Sequence, residues 1–505
     1  MKKIHYIACA ILLLAACVED PGKTELLPAA AVTPGAATGV NDVYTVVALD
    51  TLVIHPVIEG GLTDNTYTWY VYPYPSYIGS PKDTIGREQN LDYRVALPAG
   101  RYELLLEVKN KQRLTATYTT ATLNVTREFS RGWFISKEVN GAADIDFVRL
   151  GNNAVYPDIL QAINGERPAG KPLDNGYIYT YYGYERENND GTVTRVNDQP
   201  AFFLTTDADL RVYHADDMSL IKRFDDAFFE QPATRHPRAL FQCEGGTVVL
   251  NDASLHSIWY GSYNVGRFGY PVTLPTSLRG ADIAPQAIRV GGSAFIFFDN
   301  NTSSLVALTA FSSTLATLPD YGYYPSCTNM NVDLVYMREQ ELFGGAYCAY
   351  ALVKNRTSGA YSVLRLDPIY VTYGMSPVNT TYAVPDGSPV TAASVYALHQ
   401  SNDALYYSAG DNKLSYYSIR NKIETPDIIT LPDGEQIVRV HHVYNDNMDF
   451  ECLAVLANKD NRWTLYCYNF KGSTSDVQLP AFQTFSGEGK AHSFLYRDVQ
   501  VSYTN

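Results

Sequence analysis

From Val40 onward the chain is written in short runs in which apolar and polar side chains alternate, the period of a strand with one face buried. The pattern is plainest at Tyr102, Leu104, Leu106 and Val108. It recurs at Tyr44 to Leu49, Thr51 to Val57, Tyr67 to Tyr72, Tyr93 to Leu97 and Thr117 to Val125. About seven such strands within about 90 residues is the strand density of a small β-sandwich.

A second series opens at Gly132-Trp133-Phe134-Ile135-Ser136 and consists of hairpins. They run from Trp133 to Leu150, Ala201 to Tyr213, Thr247 to Trp259, Ala294 to Leu308, Leu334 to Leu366, Ala404 to Ile419 and Cys452 to Tyr468. Turn residues such as Asp207-Ala208-Asp209, Asp299-Asn300-Asn301 and Gly410-Asp411-Asn412 separate their arms. A spacing of about 45 to 60 residues is the period of propeller blades, and a closed ring leaves no sheet edge open. Helical periodicity is confined to Asp158 to Ile163. The predicted class is all-β: an immunoglobulin-like sandwich over residues 40–127, then a β-propeller of about seven blades over 131–505.

Thr66-Tyr67-Thr68-Trp69, followed by Leu97-Pro98-Ala99-Gly100-Arg101-Tyr102-Glu103-Leu104, resembles the PKD fold, in which an aromatic strand packs on a strand introduced by a Pro/Gly turn and a Tyr. It departs from typical PKD domains in lacking their acidic, Gly-rich turn after the Trp.

The chain begins Met1-Lys2-Lys3, turns apolar from Ile4 to Leu14, and reaches Leu14-Ala15-Ala16-Cys17. The apolar run is too short for a bilayer span of about 20 residues. It reads as an export signal, residues 1–16. Leu14-Ala15-Ala16-Cys17 resembles the lipobox of bacterial lipoproteins, which implies lipidation of Cys17. The alternative is ordinary cleavage after Ala16 that leaves a free thiol. Residues 17–39, rich in Ala, Pro, Gly and Thr, read as a tether. Glu19 and Asp20 resemble the acidic tag that sends Bacteroidetes lipoproteins to the outer face of the outer membrane. The order of lipobox, tether, PKD-like domain and Gly-Trp-initiated propeller resembles the PKD-like lipoproteins of Bacteroidetes. That resemblance implies a membrane anchor through the N-terminal lipid and display on the cell exterior. As partners it implies a TonB-dependent transporter and its SusD-like protein.

Composition narrows the partners. A net charge of −14 and a pI near 5.1, without a basic cluster, exclude a nucleic-acid partner. Forty tyrosines against 4 tryptophans and 6 methionines favour strands and supply amphipathic rings for ligand contact. Cys243, Cys327, Cys348, Cys452 and Cys467 show no CxxC spacing. Cys452 and Cys467 face one another if the last hairpin turns at Lys459-Asp460.

His-Glu-x-x-His, Gly-x-Ser-x-Gly, Walker, sialidase and WD40 signatures are absent, so no catalytic residue, cofactor or metal site is assigned. Asp207, Asp209, Asp216, Asp217, Asp446, Asp449 and Glu451 are carboxylates of the kind a glycoside hydrolase pairs, but acids in such turns commonly serve turn chemistry. Asp299-Asn300-Asn301 lacks the ordered spacing of a calcium loop. His441-His442 puts two imidazoles on opposite strand faces, wrong for one metal. Loop aromatics are the better candidates for a ligand site: Tyr321, Tyr323 and Tyr324; Arg267, Phe268 and Tyr270; and Tyr182 and Tyr184. The first expectation is a non-enzymatic surface protein that binds a glycan or glycopeptide nutrient. An extracytoplasmic propeller enzyme such as a glycoside hydrolase, and an adhesin or structural partner of another surface protein, stand as alternatives.

Overall fold

The computed structural model describes residues 34–498 except 60–63, 76–79, 98, 113, 152, 182–183, 188–192, 197–198, 244, 260–265, 293, 319–321, 323–324, 343–344 and 446–449. The signal, Cys17 and most of the tether lie outside the described residues. The chain divides into two compact units, residues 1–126 and 127–500.

In the first unit the alternation of Leu104, Leu106 and Val108 becomes the buried face of a long strand, Gly100–Asn110. This strand lies between Asn65–Pro73 and Ala116–Thr126, with Asp83–Gly86 and Val43–Val47 at the edges; Val43–Val47 runs parallel to its neighbour. Thr51–Ile54 pairs with Leu91–Arg94 in a separate two-stranded sheet. Leu52, Ile54 and Leu91 from that sheet share one core with Trp69, Leu104 and Leu123. Trp69 is fully buried, and its indole Nε1 donates to the Glu88 carbonyl at 3.1 Å. This is the PKD-like sandwich.

The second unit is a ring of seven sheets among the described residues, named here blades 1 to 7. Their inner strands, from blade 2 to blade 7, are Pro172–Tyr181, Pro237–Cys243, Ile283–Val290, Val332–Leu342, Val395–Leu398 and Gln436–Asn445. Blade 1 takes its inner strand from the far end of the chain: Lys490–Asp498 pairs antiparallel with Arg131–Val139, with Trp133 opposite Tyr496. Each inner strand neighbours the next, and the last neighbours the first, so the circle is closed. Seven apolar cores lie between successive blades, including the one that joins blade 7 to blade 1.

The second strand of each blade shows why the sequence reads apolar there without a break. In Ala294–Asp299, Phe295 and Phe297 enter the core shared with blade 3, while Ile296 and Phe298 enter the core shared with blade 5. A strand covered on both faces has no polar side. Blade 3 has three regular strands, and its outer position is taken by an irregular segment held by Gly269 N to Ser257 O at 3.0 Å and Val272 N to Leu255 O at 2.8 Å. The predicted helix appears as one short turn-and-a-half, Ile159–Asn164, whose Ile159 and Leu160 enter the core between blades 1 and 2.

The last hairpin turns at Asp460-Asn461, one residue later than the Lys459-Asp460 turn expected from sequence. Cys467 therefore faces Ala454, Cys452 is its diagonal neighbour, and both are free buried thiols.

A buried charge network ties the seam between blades 7 and 1. Lys137 Nζ lies 2.7 Å from Asp146 and 3.1 Å from Asp158, and donates to the Glu488 carbonyl at 2.9 Å. The Trp463 indole donates to Asp146 Oδ2 at 2.8 Å, and Arg167 meets Asp144 at 2.7 Å. Lys137, Asp144 and Asp146 are almost inaccessible, so removing one partner strands a charge away from water. Lys137→Met is expected to cost about 3–5 kcal/mol of propeller stability. Denaturant titration of the variant against the parent measures it.

Candidate functional site

Four of the inner strands carry charged or hydrogen-bonding side chains near the axis of the ring. Asp174 comes from blade 2, Gln286 and Arg289 from blade 4, Tyr336, Arg338 and Glu339 from blade 5, and Arg439 and His441 from blade 7. Asp174 and Arg439, two blades apart, approach to 3.9 Å with side chains 34% and 43% open to solvent. Burial nevertheless is the largest influence on Asp174, pushing its carboxyl up against the pull of Arg439 and Arg338. A group that is partly open to solvent yet strongly desolvated is enclosed by protein on most sides, as the wall of a narrow channel is. The site is the channel on the axis of the ring.

Part of this lining is fixed. Arg289 Nε donates to Glu339 Oε1 at 2.6 Å, and its backbone N–H reaches Glu339 Oε2 at 3.3 Å. Burial pushes Glu339 up, but Arg289 and Arg338 outweigh it and hold the carboxyl below its ordinary value. Gln286 accepts from the Met337 N–H at 2.7 Å and donates to the Val335 carbonyl at 3.3 Å, locking blade 4 to blade 5. Gln340 donates to the His399 and Asn402 carbonyls of blade 6. Between blades 2 and 3 the Gln242 amide lies over Gly176, where a Cβ would stand 1.9 Å from its Oε1.

Arg338 and Arg439 are less committed. Among the described residues neither guanidinium donates a hydrogen bond, and Arg439 has only the loose contact with Asp174. Both act on Asp174 and on His441. Burial, then Arg338 and Arg439, hold the His441 imidazole well below its ordinary value, so it stays neutral.

The channel differs from the site expected from sequence. Tyr321, Tyr323, Tyr324 and Tyr182 lie outside the described residues, as does the Tyr184 side chain, whose strand Tyr184–Glu187 pairs with Val193–Val196. Arg267, Phe268 and Tyr270 belong to the irregular outer segment of blade 3, on the rim. Phe268 is fully buried against Phe203 and Phe228, and its ring is occupied by that core. Arg267 is half-buried, and Tyr270 is 69% exposed.

The paired-acid candidates are dispersed into local roles. Asp207 accepts from Lys171 N, Asp209 from Leu210 N and Arg211, and Asp217 from Ser219; Asp216 meets Arg497 at 2.7 Å. Glu451 Oε1 accepts from His442 Nε2 at 2.9 Å, the other ring nitrogen accepting from Gln400 N, while Asp446 and Asp449 lie outside the described residues. No group of three metal-binding side chains occurs among the described residues. His442 is buried and His441 faces the channel, the opposite-face arrangement read from sequence. The signal that sequence reasoning passed over is a charged pair, Arg338-Glu339, inside a strand bounded by Leu334 and Leu342.

Residues 28–172 match the model of the PKD-like family. The N-terminal segment of the chain is PKD-like. The PKD-like match runs past the sandwich through three strands of blade 1, so the Gly132-Trp133 opening lies inside it. No curated protein matches the chain in sequence. Among solved structures it is similar to a quinoprotein alcohol dehydrogenase-like protein of Bacteroides thetaiotaomicron, at 13% identity and a TM-score of 0.37, covering 92% of this chain and 99% of that one. A protein of unknown function from the same organism matches at 9% identity and TM-score 0.30, covering 84% and 95%. A DUF4784 family protein of Bacteroides caccae matches at 10% and 0.29, covering 78% and 95%. The seven-bladed ring stands on its own strand pairing.

The imidazoles near the channel set a pH dependence. Burial first, then the neighbouring His442, lowers His399 from 6.5 to about 3. His441 and His442 are also lowered, His442 by burial against an opposing pull from Glu451. The unfolded chain therefore binds these protons more readily than the folded one, and stability declines as pH falls below 6.5. Asp144, Asp146 and Asp174, raised by burial, act with the opposite sign nearer the carboxyl range. The denaturation midpoint is expected to drop between about pH 7 and pH 5 and to drop less steeply in His399→Gln.

Proposed function

We propose that the protein is a lipid-anchored, non-enzymatic binding protein of the outer-membrane surface whose propeller channel receives a glycan or glycopeptide. It serves a TonB-dependent transporter and a SusD-like partner, and the PKD-like domain spaces the ring from the membrane. The observation that carries this reading is the channel wall. Side chains from four blades present guanidinium, carboxyl, phenol and imidazole groups to one axis, on strands clamped together by Gln286 and Gln340. Polar groups converging on an enclosed site, held on rigid strands, suit recognition of a hydroxyl-rich ligand. The anchor and the partners are supported by the Leu14-Ala15-Ala16-Cys17 lipobox and by the order of domains. The rings of Tyr321, Tyr323 and Tyr324, in the connection that leads into the inner strand of blade 5, are additional contacts in this reading.

A fragment beginning at Asn41 is expected to retain members of a glycan and glycopeptide array without shortening them. Tyr323→Ala is expected to weaken the best binder about two- to tenfold, the loss of one ring contact of about 0.5–1.5 kcal/mol. Sugar chains shortened on incubation would replace binding with hydrolysis, and an empty array would favour the adhesin. In membrane extracts, mass spectrometry is expected to find Cys17 as the first residue with a diacylglyceryl thioether; an unmodified thiol there removes the anchor.

A further inference from the structure

We infer that the channel selects an anionic saccharide, one carrying a carboxylate or sulfate, through the guanidiniums of Arg338 and Arg439; this rests on the binding reading above. Among the described side chains, three arginines, Arg289, Arg338 and Arg439, share the channel with two carboxylates, Glu339 and Asp174. Glu339, only 3% exposed, is hydrogen-bonded to Arg289 at 2.6 Å and acts on Arg338 by charge alone. Asp174 is left to Arg338 and Arg439 together, and it touches the nearer of them only at 3.9 Å. Among the described side chains, this leaves one more guanidinium than carboxylate on the axis of a chain whose net charge is −14.

Each guanidinium offers a planar fork of N–H donors that fits the two oxygens of a carboxylate or sulfate. In an enclosed site of lowered dielectric that match is stronger than it would be on the surface. His441, held neutral between the same arginines, adds no competing charge and leaves an imidazole to hydrogen-bond a sugar hydroxyl. The acidic exterior disfavours anions at random sites, so an anionic ligand that binds has its favourable position in the channel.

The test uses the array divided into carboxylated, sulfated and neutral glycans, probed with the parent fragment and with the Arg338→Gln/Arg439→Gln double variant. The parent is expected to retain acidic glycans, and which acidic class it retains distinguishes the two sources of the oxyanion. Calorimetry on the strongest acidic binder is expected to show affinity at least tenfold weaker in the double variant. Methyl esterification of a carboxylated binder, or added salt, is expected to weaken the parent in the same way. Arg439→Lys, which keeps the charge and loses the fork, is expected to fall between. Where the double variant does not fold, Arg439→Gln alone makes the test, since that side chain is 43% exposed. Neutral glycans retained equally by parent and variant would overturn the anion selectivity and leave the binding function standing. An array empty in every class would overturn both.

Discussion

The antiparallel pairing of Lys490–Asp498 with Arg131–Val139 is the constraint on which the ring depends. A row of sheets packed face to face has two ends, and each end exposes an apolar face and an unpaired edge. Joining the ends removes both at once. Phe494 and Trp133 then enter the same core as Trp463 and Leu465 of blade 7, and Arg497 reaches the carbonyls of Phe129 and Ala215, with its first contact at 2.8 Å. The cost is the ordering of a chain loop of more than 350 residues, which grows only with the logarithm of length.

Closure also explains why the charge lies where it does. Seven inner strands drawn into a circle cannot bury both faces and both flanks of every residue, because the axis itself has no neighbour to cover it. Side chains there are not covered by packed carbon on every side, and Arg439 and Asp174, 43% and 34% exposed, are tolerated for that reason. The contrast with Lys137, Asp144 and Asp146 is instructive. Those charges are deeper, but every one is matched, so they hold the seam and have nothing left to offer a ligand.

How much of this was legible in the sequence follows from the same geometry. The second and third strands of each blade are covered on both sides, and runs such as Phe295-Ile296-Phe297-Phe298 announce them. Six of the seven hairpins counted from sequence are those pairs; the seventh, Leu334 to Leu366, also takes in most of the inner strand of blade 5. Inner strands such as Gln436–Asn445 mix Arg439, His441 and His442 with apolar residues, and their pattern resembles a connection as much as a strand. The channel was missed with them. Phe268 misled in the opposite direction: Gly and Pro around it read as an open loop, whereas the segment fills the vacant outer place of blade 3 and buries the ring.

The contact of Gly176 with Gln242 bears on how the seam between blades 2 and 3 responds to substitution. A methyl group at position 176 would stand 1.9 Å from Gln242 Oε1, so it fits only once the amide end of that side chain has swung aside. A single substitution at 176 would thus re-aim the polar group that blade 3 presents at this seam.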